Sequence, residues 1–445
     1  MSPRHLHLLL AALAAMAVAA LAAAAGGAES AKAKSAVAAN HEIVFFSNQL
    51  TPVAEAEQVR NVMLRNFRAH RVQFVPAASD RIFEDRLIAE QQAGRGTIHV
   101  LGALHGNYVS LRERNALLPL NDVARQLTRA GIPRSFMNLG KLGTRNQQYI
   151  PWMQATYVLV ANQRVLPLLP RGADRNRLTY GQYLQWARNI RQRFGVGRVG
   201  FPVSDTGLFH RFLQGYFVPS FTGRNVTRWN SADAVAGWRY LRQLWPLVHP
   251  QSLTYGFMQD PLLNGEVMLA WEHVARTRAA LLQRPQDFVV MPAPRGPRGR
   301  AYMPVLAGLA IPRNAPTPAA GKAFIRHMLS VSTQAQTLGA VGFYPVITAR
   351  LSQRLGPGLL KQATAVRRTQ NARDALPSLL PIGLGAEGGN FNNIYRNTFR
   401  RIVINNEDIR TVLREEGARL QAIFERTGAR CWAPDPPSRG ACRVG

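Results

Sequence analysis

The chain has 445 residues, a formal net charge of +30, 47% hydrophobic residues and 18% charged residues. It has enough apolar residues for substantial cores, which excludes a disordered chain, and at roughly 150 residues per domain its length favours two or three lobes. The arginines are scattered along the chain and no nucleic-acid-binding motif occurs. The charge therefore indicates a solvated basic surface rather than a nucleic-acid or surface-polymer binder.

The first residues predict an export signal over residues 1–28. Arg4 precedes an apolar, alanine-rich stretch from Leu8 to Ala25, and small residues suited to cleavage follow. An uncleaved membrane anchor is the alternative, but alanine is a weak membrane residue and no second apolar run follows. Because no cysteine lies near the junction, we expect a periplasmic protein with a cleaved signal that is not a lipoprotein.

Strand and helix patterns alternate after this signal. HEIVFFSN and RVQFVPA have strand character, and a stretch with helical spacing of its apolar residues separates them. DRIFEDRLIAEQQAG is again helical, and GTIHVLGALHGNYVSLRERNALLPLND predicts strand, loop and helix. The alternation predicts an α/β fold whose mostly parallel sheet is covered on both faces, with a first lobe over residues 41–150.

A second lobe with a different pattern of helices and strands follows. LTYGQYLQWARNI, DTGLFHRFLQGYFVPSF and ADAVAGWRYLRQLWPLV are predicted helices, whereas VGRVGFPVS and DFVVMPAP are predicted strands. A further strand, VLAGLAIP, carries Ala307 and Gly308 at its centre, which indicates a crossover or a closely approaching ligand. We expect four tryptophans of this lobe to be structural: Trp186, Trp229, Trp238 and Trp245.

The two cysteines flank a C-terminal loop rich in Pro, Gly and Ser. Cys431 and Cys442 are expected to form a disulfide in an oxidising compartment, closing a tail over residues 431–445. Metal binding by the pair is less favoured, because their spacing is not that of a zinc knuckle and no histidine accompanies them. We expect no metal and no cofactor.

Five blocks in order carry a resemblance to a known family. They are NALLPLND, YIPWMQATYVLVANQRVLPLLP, GEVMLAWEHVAR, YMPVLAGLAIPRNAPTPAAGKAFIRHMLS and GFYPV. Together they resemble the family 1 extracellular solute-binding proteins of ABC importers, over nearly all of the chain after the signal. The resemblance implies a two-lobed periplasmic-binding-protein fold of the second type, a sugar or polyol ligand between the lobes, and an inner-membrane ABC permease as partner.

The resemblance also implies where the chain crosses between the lobes. PWMQATYVLVAN resembles the outgoing hinge strand and VLAGLAIP the returning one. The first lobe is then expected to comprise residues 41–150 and about 301–345, and the second residues 151–300 and about 346–430. Strand alternation puts Trp152 and Gln154 on one face and Tyr157 on the other. Which of the two faces lines the cleft is left open.

A sugar offers an apolar ring face and a rim of hydroxyls, so its receptor needs aromatic platforms and planar polar side chains on loops after strands and at helix starts. Asp80 and Asn390 are equally compatible with helix capping, and His105 and His273 with ordinary hydrogen bonding rather than metal ligation. The candidate ligand-binding residues are Asn48, Gln49, Asp80, His105, Asn107, Trp152, Gln154, Tyr157, Asp205, His210, Trp271, Glu272, His273, Gly308, Tyr344, Asn390 and Arg396.

Two other functions remain open at this point. The high net charge is compatible with an acidic sugar or a sugar or glycerol phosphate, which Arg396 could bind in bidentate fashion. A secreted glycan-active enzyme could use Glu272 and Asp205, but nothing links these carboxylates as a catalytic pair, and neither a GxSxG motif nor a P-loop occurs. We therefore expect a monomeric binding protein that is not an enzyme and does not bind nucleic acid.

Overall fold

The computed structural model describes residues 42–347 and 355–445, and the predicted export signal lies outside these ranges. The strands form two mixed sheets and one small two-stranded sheet. The strands are β1 (Ile43–Ser47), β2 (Val72–Pro76), β3 (Val100–Leu104), β4 (Ile150–Ala155), β5 (Tyr157–Asn162), β6 (Val199–Gly200), β7 (Leu269–His273), β8 (Phe288–Met291), β9 (Arg300–Tyr302), β10 (Val305–Ala310), β11 (Tyr344–Pro345) and β12 (Ala375–Pro377).

Helices connect these strands and cover the sheets. Three of them continue into, or pass through, a π-helical segment: Val59–Met63, Leu213–Phe217 and Arg400–Ile404. The helices are α1 (Val53–Gln58), α2 (Asp80–Gln92), α3 (Asn107–Glu113), α4 (Asn121–Gln126), α5 (Arg134–Leu139), α6 (Tyr180–Phe194), α7 (Phe209–Phe212), α8 (Val218–Thr222), α9 (Ala232–Leu244), α10 (Gln259–Leu263), α11 (Arg278–Gln283), α12 (Pro318–Met328), α13 (Val331–Val341), α14 (Pro357–Gln370), α15 (Gly388–Phe399) and α16 (Ile409–Thr427).

The first lobe is built on a six-stranded sheet in the order β11-β4-β10-β3-β1-β2. Strands β1, β2 and β3 are parallel, as predicted, but β10 is antiparallel to both of its neighbours, β3 and β4. The sheet is therefore mixed rather than mostly parallel. The reason is that β10 enters the sheet from the end at which β4 leaves it, because the chain is returning from the second lobe.

The second lobe contains a four-stranded sheet in the order β6-β7-β5-β8, in which β5 is antiparallel to β7 and β8. The small sheet pairs β9 with β12 in parallel. Trp186, Trp229 and Trp238 are fully buried in the core, as expected for structural residues. Thr179 and Gln182 form a complete capping box at the start of α6, which explains why the helix begins there.

Two short crossings join the lobes, and hydrogen bonds of Thr156 connect one crossing to the other and to Tyr216. Thr156 separates β4 from β5, and Met303 follows β9 just before β10. The Thr156 hydroxyl lies 2.7 Å from the Tyr216 hydroxyl and donates to the Met303 carbonyl at 3.0 Å. Tyr216 belongs to a π-helical segment, and a Cβ on its neighbour Gly215 would lie 2.6 Å from the Met303 Cβ. Glycine is needed there because the segment approaches the crossing so closely.

A β-bulge lies in β4 just before the outgoing crossing. Pro151 pairs with Gly308 and Met153 pairs with Ala307, so Trp152 has no partner in the ladder with β10. Trp152 and Met153 are both fully buried in the same core. The predicted alternation of faces is therefore wrong here, because the extra residue shifts the pattern by one.

The C-terminal tail is fastened to the second lobe. Cys431 and Cys442 form the predicted disulfide. Inside the loop that they close, the buried Asp435 carboxylate accepts hydrogen bonds from the backbone N–H groups of Asn225, Val226 and Thr227 at 2.8 to 3.2 Å. It also accepts one from the Thr227 hydroxyl at 2.6 Å. The disulfide closes the loop of the tail, and the Asp435 carboxylate joins that loop to the second lobe.

Candidate ligand-binding site

An open pocket of about 360 Å³ lies between the two lobes. The first lobe contributes the start of α2 and the segment that follows β3, and the second contributes α7 and the chain around the start of α15. The lining residues are Ser79, Asp80, Arg81, Glu84, Leu104, Gly106, Asn107, Ser110, Arg211, Leu380, Pro381, Leu384, Gly385, Ala386, Gly388, Gly389 and Asn392. Both lobes thus present polar groups to one space.

The first-lobe wall follows from the parallel strands, whose carboxyl ends face the second lobe. Asp80 follows β2, Asn107 follows β3, and Asn48 follows β1. The Ser79 hydroxyl accepts from the Ile82 N–H at 3.2 Å and caps α2, so Asp80 is the first residue of the helix and not its cap. Its carboxylate, favoured by the helix dipole, accepts from the Asn48 amide at 2.6 Å.

Arg211 forms the second-lobe wall. Its guanidinium donates to the Gln214 side-chain oxygen at 3.0 Å, and the Gln214 amide donates to the Asn392 side-chain oxygen at 2.9 Å. Burial lowers the pKa of Arg211, and the charge of Asp80 opposes that shift. Within the described chain Arg211 makes no ion pair. A partly buried cation oriented by a side-chain network thus faces the pocket with donors left for a ligand.

Four of the predicted residues come together at this wall or just behind it. Asp80 and Asn107 line the pocket. Asn48 bonds Asp80, and the Gln49 amide donates to the Asn48 side-chain oxygen at 3.0 Å. The structure therefore gathers Asn48, Gln49, Asp80 and Asn107 into one polar edge.

The predicted aromatic platforms are buried instead. The Tyr157 ring stacks on Trp271 with centroids 4.4 Å apart, and Trp152 packs edge-on against Phe45. Neither tryptophan has exposed surface. None of the described residues that line the pocket is aromatic. In this conformation a ligand there meets polar groups and aliphatic side chains rather than a flat ring.

Glu272 and His273 are also buried, behind the Tyr157 and Trp271 rings. The Glu272 carboxyl accepts from the backbone N–H groups of Met258 at 3.1 Å and His273 at 2.7 Å. Burial raises the pKa of Glu272 to about 7, with Arg276 and these two hydrogen bonds opposing the shift. Burial lowers the pKa of His273 to about 3, helped by the charge of Arg276. Neither side chain reaches the pocket.

His210, Asp205 and Arg396 form a separate group in the second lobe. The Arg396 guanidinium donates to the carbonyls of Ser204, Asp205 and Gly207 and contacts the His210 Nδ1 at 3.0 Å. Burial lowers the pKa of His210 far below its usual value, so the ring is neutral and accepts that hydrogen bond. Asp205 is fully exposed and 3.7 Å from Arg396. Arg396 therefore holds a loop together, mainly through hydrogen bonds to backbone carbonyls.

Gln154, Gly308 and Tyr344 lie at or near the hinge. The Gln154 amide donates to the Pro345 carbonyl at 3.1 Å and accepts from the Gln370 amide at 3.3 Å. The Tyr344 hydroxyl donates to the Gln362 side-chain oxygen at 2.7 Å. A Cβ on Gly308 would lie 2.1 Å from the Tyr149 ring. The small residue predicted to admit a ligand in fact admits a tyrosine of the same lobe.

His105 and Asn390 flank the pocket without lining it. His105 is buried, its Nδ1 lies 2.8 Å from the Tyr149 hydroxyl, and burial lowers the pKa of the ring to about 4. Asn390 is exposed and donates to the Glu387 carboxylate at 3.0 Å. His105 makes the ordinary hydrogen bond that was the alternative for it, whereas the capping alternative for Asn390 is wrong, because Asn390 lies inside α15 and the N-cap is Glu387.

Sequence reasoning did not select Arg211, Gln214 or Asn392. Asn392 lies two residues after the predicted Asn390, and both are asparagines of the same short segment, so residue type does not distinguish them. Arg211 directly follows the chosen His210, and its spacing gives no signal that it, rather than His210, faces the other lobe. In residues 42–347 and 355–445 no three His, Cys, Asp or Glu side chains could together hold a metal ion, and no helix is long and apolar enough to cross a membrane.

Two lobes joined by short hinge crossings, with mixed sheets and a polar pocket between them, define the type II periplasmic-binding-protein fold. Residues 53–335 match the family model of bacterial extracellular solute-binding proteins. The chain belongs to that family, whose members are binding proteins and not enzymes, and the match confirms the resemblance drawn from the sequence.

Solved structures of similar fold include sugar-binding proteins. Maltose-bound MalE3 of Thermotoga maritima superposes with a TM-score of 0.67 at 16% identity, covering 86% of this chain and 99% of that one. MalE of Xanthomonas citri gives 0.67 at 15% identity, covering 87% and 98%. UgpB of Mycobacterium tuberculosis, in complex with glycerophosphocholine, gives 0.63 at 16% identity, covering 87% and 99%. A search of curated proteins found no match to this sequence.

Proposed function

We propose that this protein captures a sugar or polyol in the pocket between its lobes and delivers it to an inner-membrane ABC permease. The observation that carries the proposal is that Asp80 and Asn107 from one lobe face Arg211 from the other across one pocket. Carboxylate, amide and guanidinium groups match the donors and acceptors of sugar hydroxyls, and unpaired polar groups would penalise a wrong ligand. The family membership supports the same role.

The proposed mechanism is hinge closure. Because β4 pairs within the first-lobe sheet and β9 pairs with β12, we move the lobe bounds expected from the sequence and place the rotation at Thr156 and Met303. The first lobe then comprises residues 41–155 and about 304–345, and the second residues 157–302 and about 346–430. A ligand that contacts Asp80 and Arg211 together binds the closed form better than the open form, and this difference alone drives closure. The protein acts without a cofactor, a metal or nucleic acid, as a periplasmic monomer after cleavage of a signal peptide that is not a lipoprotein signal.

Ligand capture predicts thermal stabilisation by a small polar solute and no chemical change in that solute. The purified protein is heated with a panel that includes maltose, glycerol and glycerophosphocholine. At a ligand concentration 100 times Kd, stabilisation should reach about 2.7 kcal/mol. Bound solute is then recovered and analysed for cleavage. Hydrolysed product would refute the non-catalytic proposal, and protein isolated from its own cells without any small polar solute would count against capture.

An anionic ligand, such as an acidic sugar or a sugar or glycerol phosphate, is the second candidate. Arg396 was the expected anion contact, but its guanidinium donates to backbone carbonyls. Arg211 is the better candidate, because it lines the pocket without an ion pair among the described residues. The absence of aromatic residues from the described pocket lining also favours a charged or strongly polar ligand.

Replacing Arg211 by methionine distinguishes these two candidates. If the ligand is anionic, Arg211→Met should weaken it by roughly 100-fold, since a partly buried charge-assisted contact is lost. A neutral ligand should lose roughly ten-fold or less, as for an ordinary hydrogen bond. Titration calorimetry measures both. The matched control is Arg81→Met, because Arg81 lines the same pocket with an exposed side chain. Equal losses of ligand affinity in Arg211→Met and Arg81→Met would show that Arg211 makes no specific contact with the ligand.

A further inference from the structure

A second cavity, separate from the pocket between the lobes, lies wholly on the second lobe. Its volume is about 630 Å³, and its walls come from the chain before α6, from β9 and the loop preceding it, and from the end of α14 and the chain after it. It shares no lining residue with the interlobe pocket. Five arginines line it: Arg177, Arg295, Arg300, Arg368 and Arg373.

Arg300 forms the floor of this arginine cavity. The residue is only 3% exposed, and its Nε has no hydrogen-bond partner in the described chain. One terminal nitrogen donates to the Asn176 carbonyl at 3.0 Å. A buried guanidinium nitrogen without an acceptor carries a desolvation cost that a bound anion removes.

The cavity's own carboxylates do not neutralise it. Only Asp174 and Asp374 line it beside the five arginines. Asp174 already accepts the Asn176 backbone N–H at 2.8 Å. Asp374 lies 3.7 Å from Arg295, and its Oδ2 makes no hydrogen bond within the described residues. The cations are therefore in excess over the anions that face them.

The arginines of the cavity are partly preorganised. Asn176 accepts from Arg300 through its backbone carbonyl and from Arg368 through its side-chain oxygen at 2.6 Å, so a single residue positions two guanidinium groups. Arg177 and Arg373 are exposed, and in the part of the chain that the structure describes their side chains make no hydrogen bond or ion pair. Fixed arginines at the floor and free arginines at the rim suit an anion with several oxygen acceptors.

We propose that the arginine cavity binds a phosphate compound that carries at least two negative charges. The guanidinium fork matches phosphate oxygens in bidentate geometry, and the cavity volume leaves room for more than one phosphate group. The site is independent of the interlobe ligand. It can serve a free phosphate compound or the phosphates of a lipid headgroup.

Inorganic pyrophosphate is the probe for the free compound, titrated calorimetrically into the purified protein at low salt. The double variant Arg177→Gln/Arg373→Gln should weaken binding by at least about ten-fold, because two rim contacts are lost. Arg410→Gln/Arg414→Gln is the matched control, since both of these arginines are exposed on one face of α16 and their loss changes the net charge equally. The control should change binding by less than about two-fold.

Vesicles that contain cardiolipin, whose headgroup carries two phosphates, are compared with phosphatidylcholine vesicles in the second arm. Binding to cardiolipin vesicles that the Arg177→Gln/Arg373→Gln variant loses and the control keeps would assign the same cavity to a lipid headgroup. Equal weakening in the two double variants would overturn the proposal, because it would show that only net charge matters. Absence of pyrophosphate binding together with vesicle binding that does not depend on Arg177 and Arg373 would overturn it as well.

Discussion

Asp435→Ala is expected to lower the free energy of unfolding by about 4 kcal/mol, since the substitution leaves two buried backbone N–H groups and one partly buried one without their acceptor. The carboxylate is 5% exposed, so water cannot replace it without undocking the tail. The disulfide still closes the loop in this variant, but the hydrogen bonds that join the loop to residues 225–227 are lost. Urea denaturation followed by circular dichroism measures the loss.

The control for this variant is Asp205→Ala. Asp205 carries the same charge but is fully exposed, and its distance to Arg396 is 3.7 Å. Its removal should change stability by less than about 0.5 kcal/mol. A loss below about 1 kcal/mol in Asp435→Ala would show that docking of the tail contributes little to the stability of the second lobe.

Glu272→Gln is expected to change how stability depends on pH. Burial raises the pKa of Glu272 to about 7 from its ordinary value of 4.5. The folded state therefore holds the proton in a range where the unfolded state has released it. The stabilisation from the buried neutral acid is complete below about pH 4.5 and is lost as the pH rises through about 7. At about 1.4 kcal/mol per pKa unit, the loss is about 3 kcal/mol.

The measurement is the difference in unfolding free energy between the parent and Glu272→Gln from pH 4.5 to 8. Relative to the variant, the parent should lose stability as the pH rises. Buried His105, His210 and His273 have lowered pKa values and act in the opposite direction, but they are present in both proteins and cancel in the difference. Glu57→Gln, at an exposed position of α1, should give a profile parallel to the parent. If the difference in unfolding free energy between the parent and Glu272→Gln does not change with pH, the Glu272 carboxyl of the parent is ionised over the whole range.

The order of strands and helices was largely predictable, because the periodicity of apolar residues and the residues that end helices and strands are local properties of the chain. The parallel β1, β2 and β3 followed from alternation with helices, and the C-terminal disulfide followed from the spacing of two cysteines. The antiparallel insertion of β10 was not predictable from local pattern. It depends on a connection that leaves the sheet, builds the second lobe and returns.

The candidate site was also predictable only in part. Asn48, Asp80 and Asn107 were found because polar residues after parallel strands meet at one edge of a sheet. Arg211 was missed because it lies on a short helix whose facing direction is set by packing in the second lobe and not by its spacing. Trp152, Trp271 and Glu272 had the residue types that a sugar site needs, but packing placed all three in the core.

The sequence by itself determined the α/β character, the two crossing segments and the family, since each depends on residue types in order along the chain. The tertiary structure alone decided which side chains face the space between the lobes. The segment YIPWMQATYVLVAN shows the reason. A bulge at Trp152 shifts the alternation that strand period predicts, and hydrogen bonds of Thr156 with the Tyr216 hydroxyl and the Met303 carbonyl join residues far apart in the chain. Side-chain direction at a hinge depends on such long-range contacts, and no local pattern encodes them.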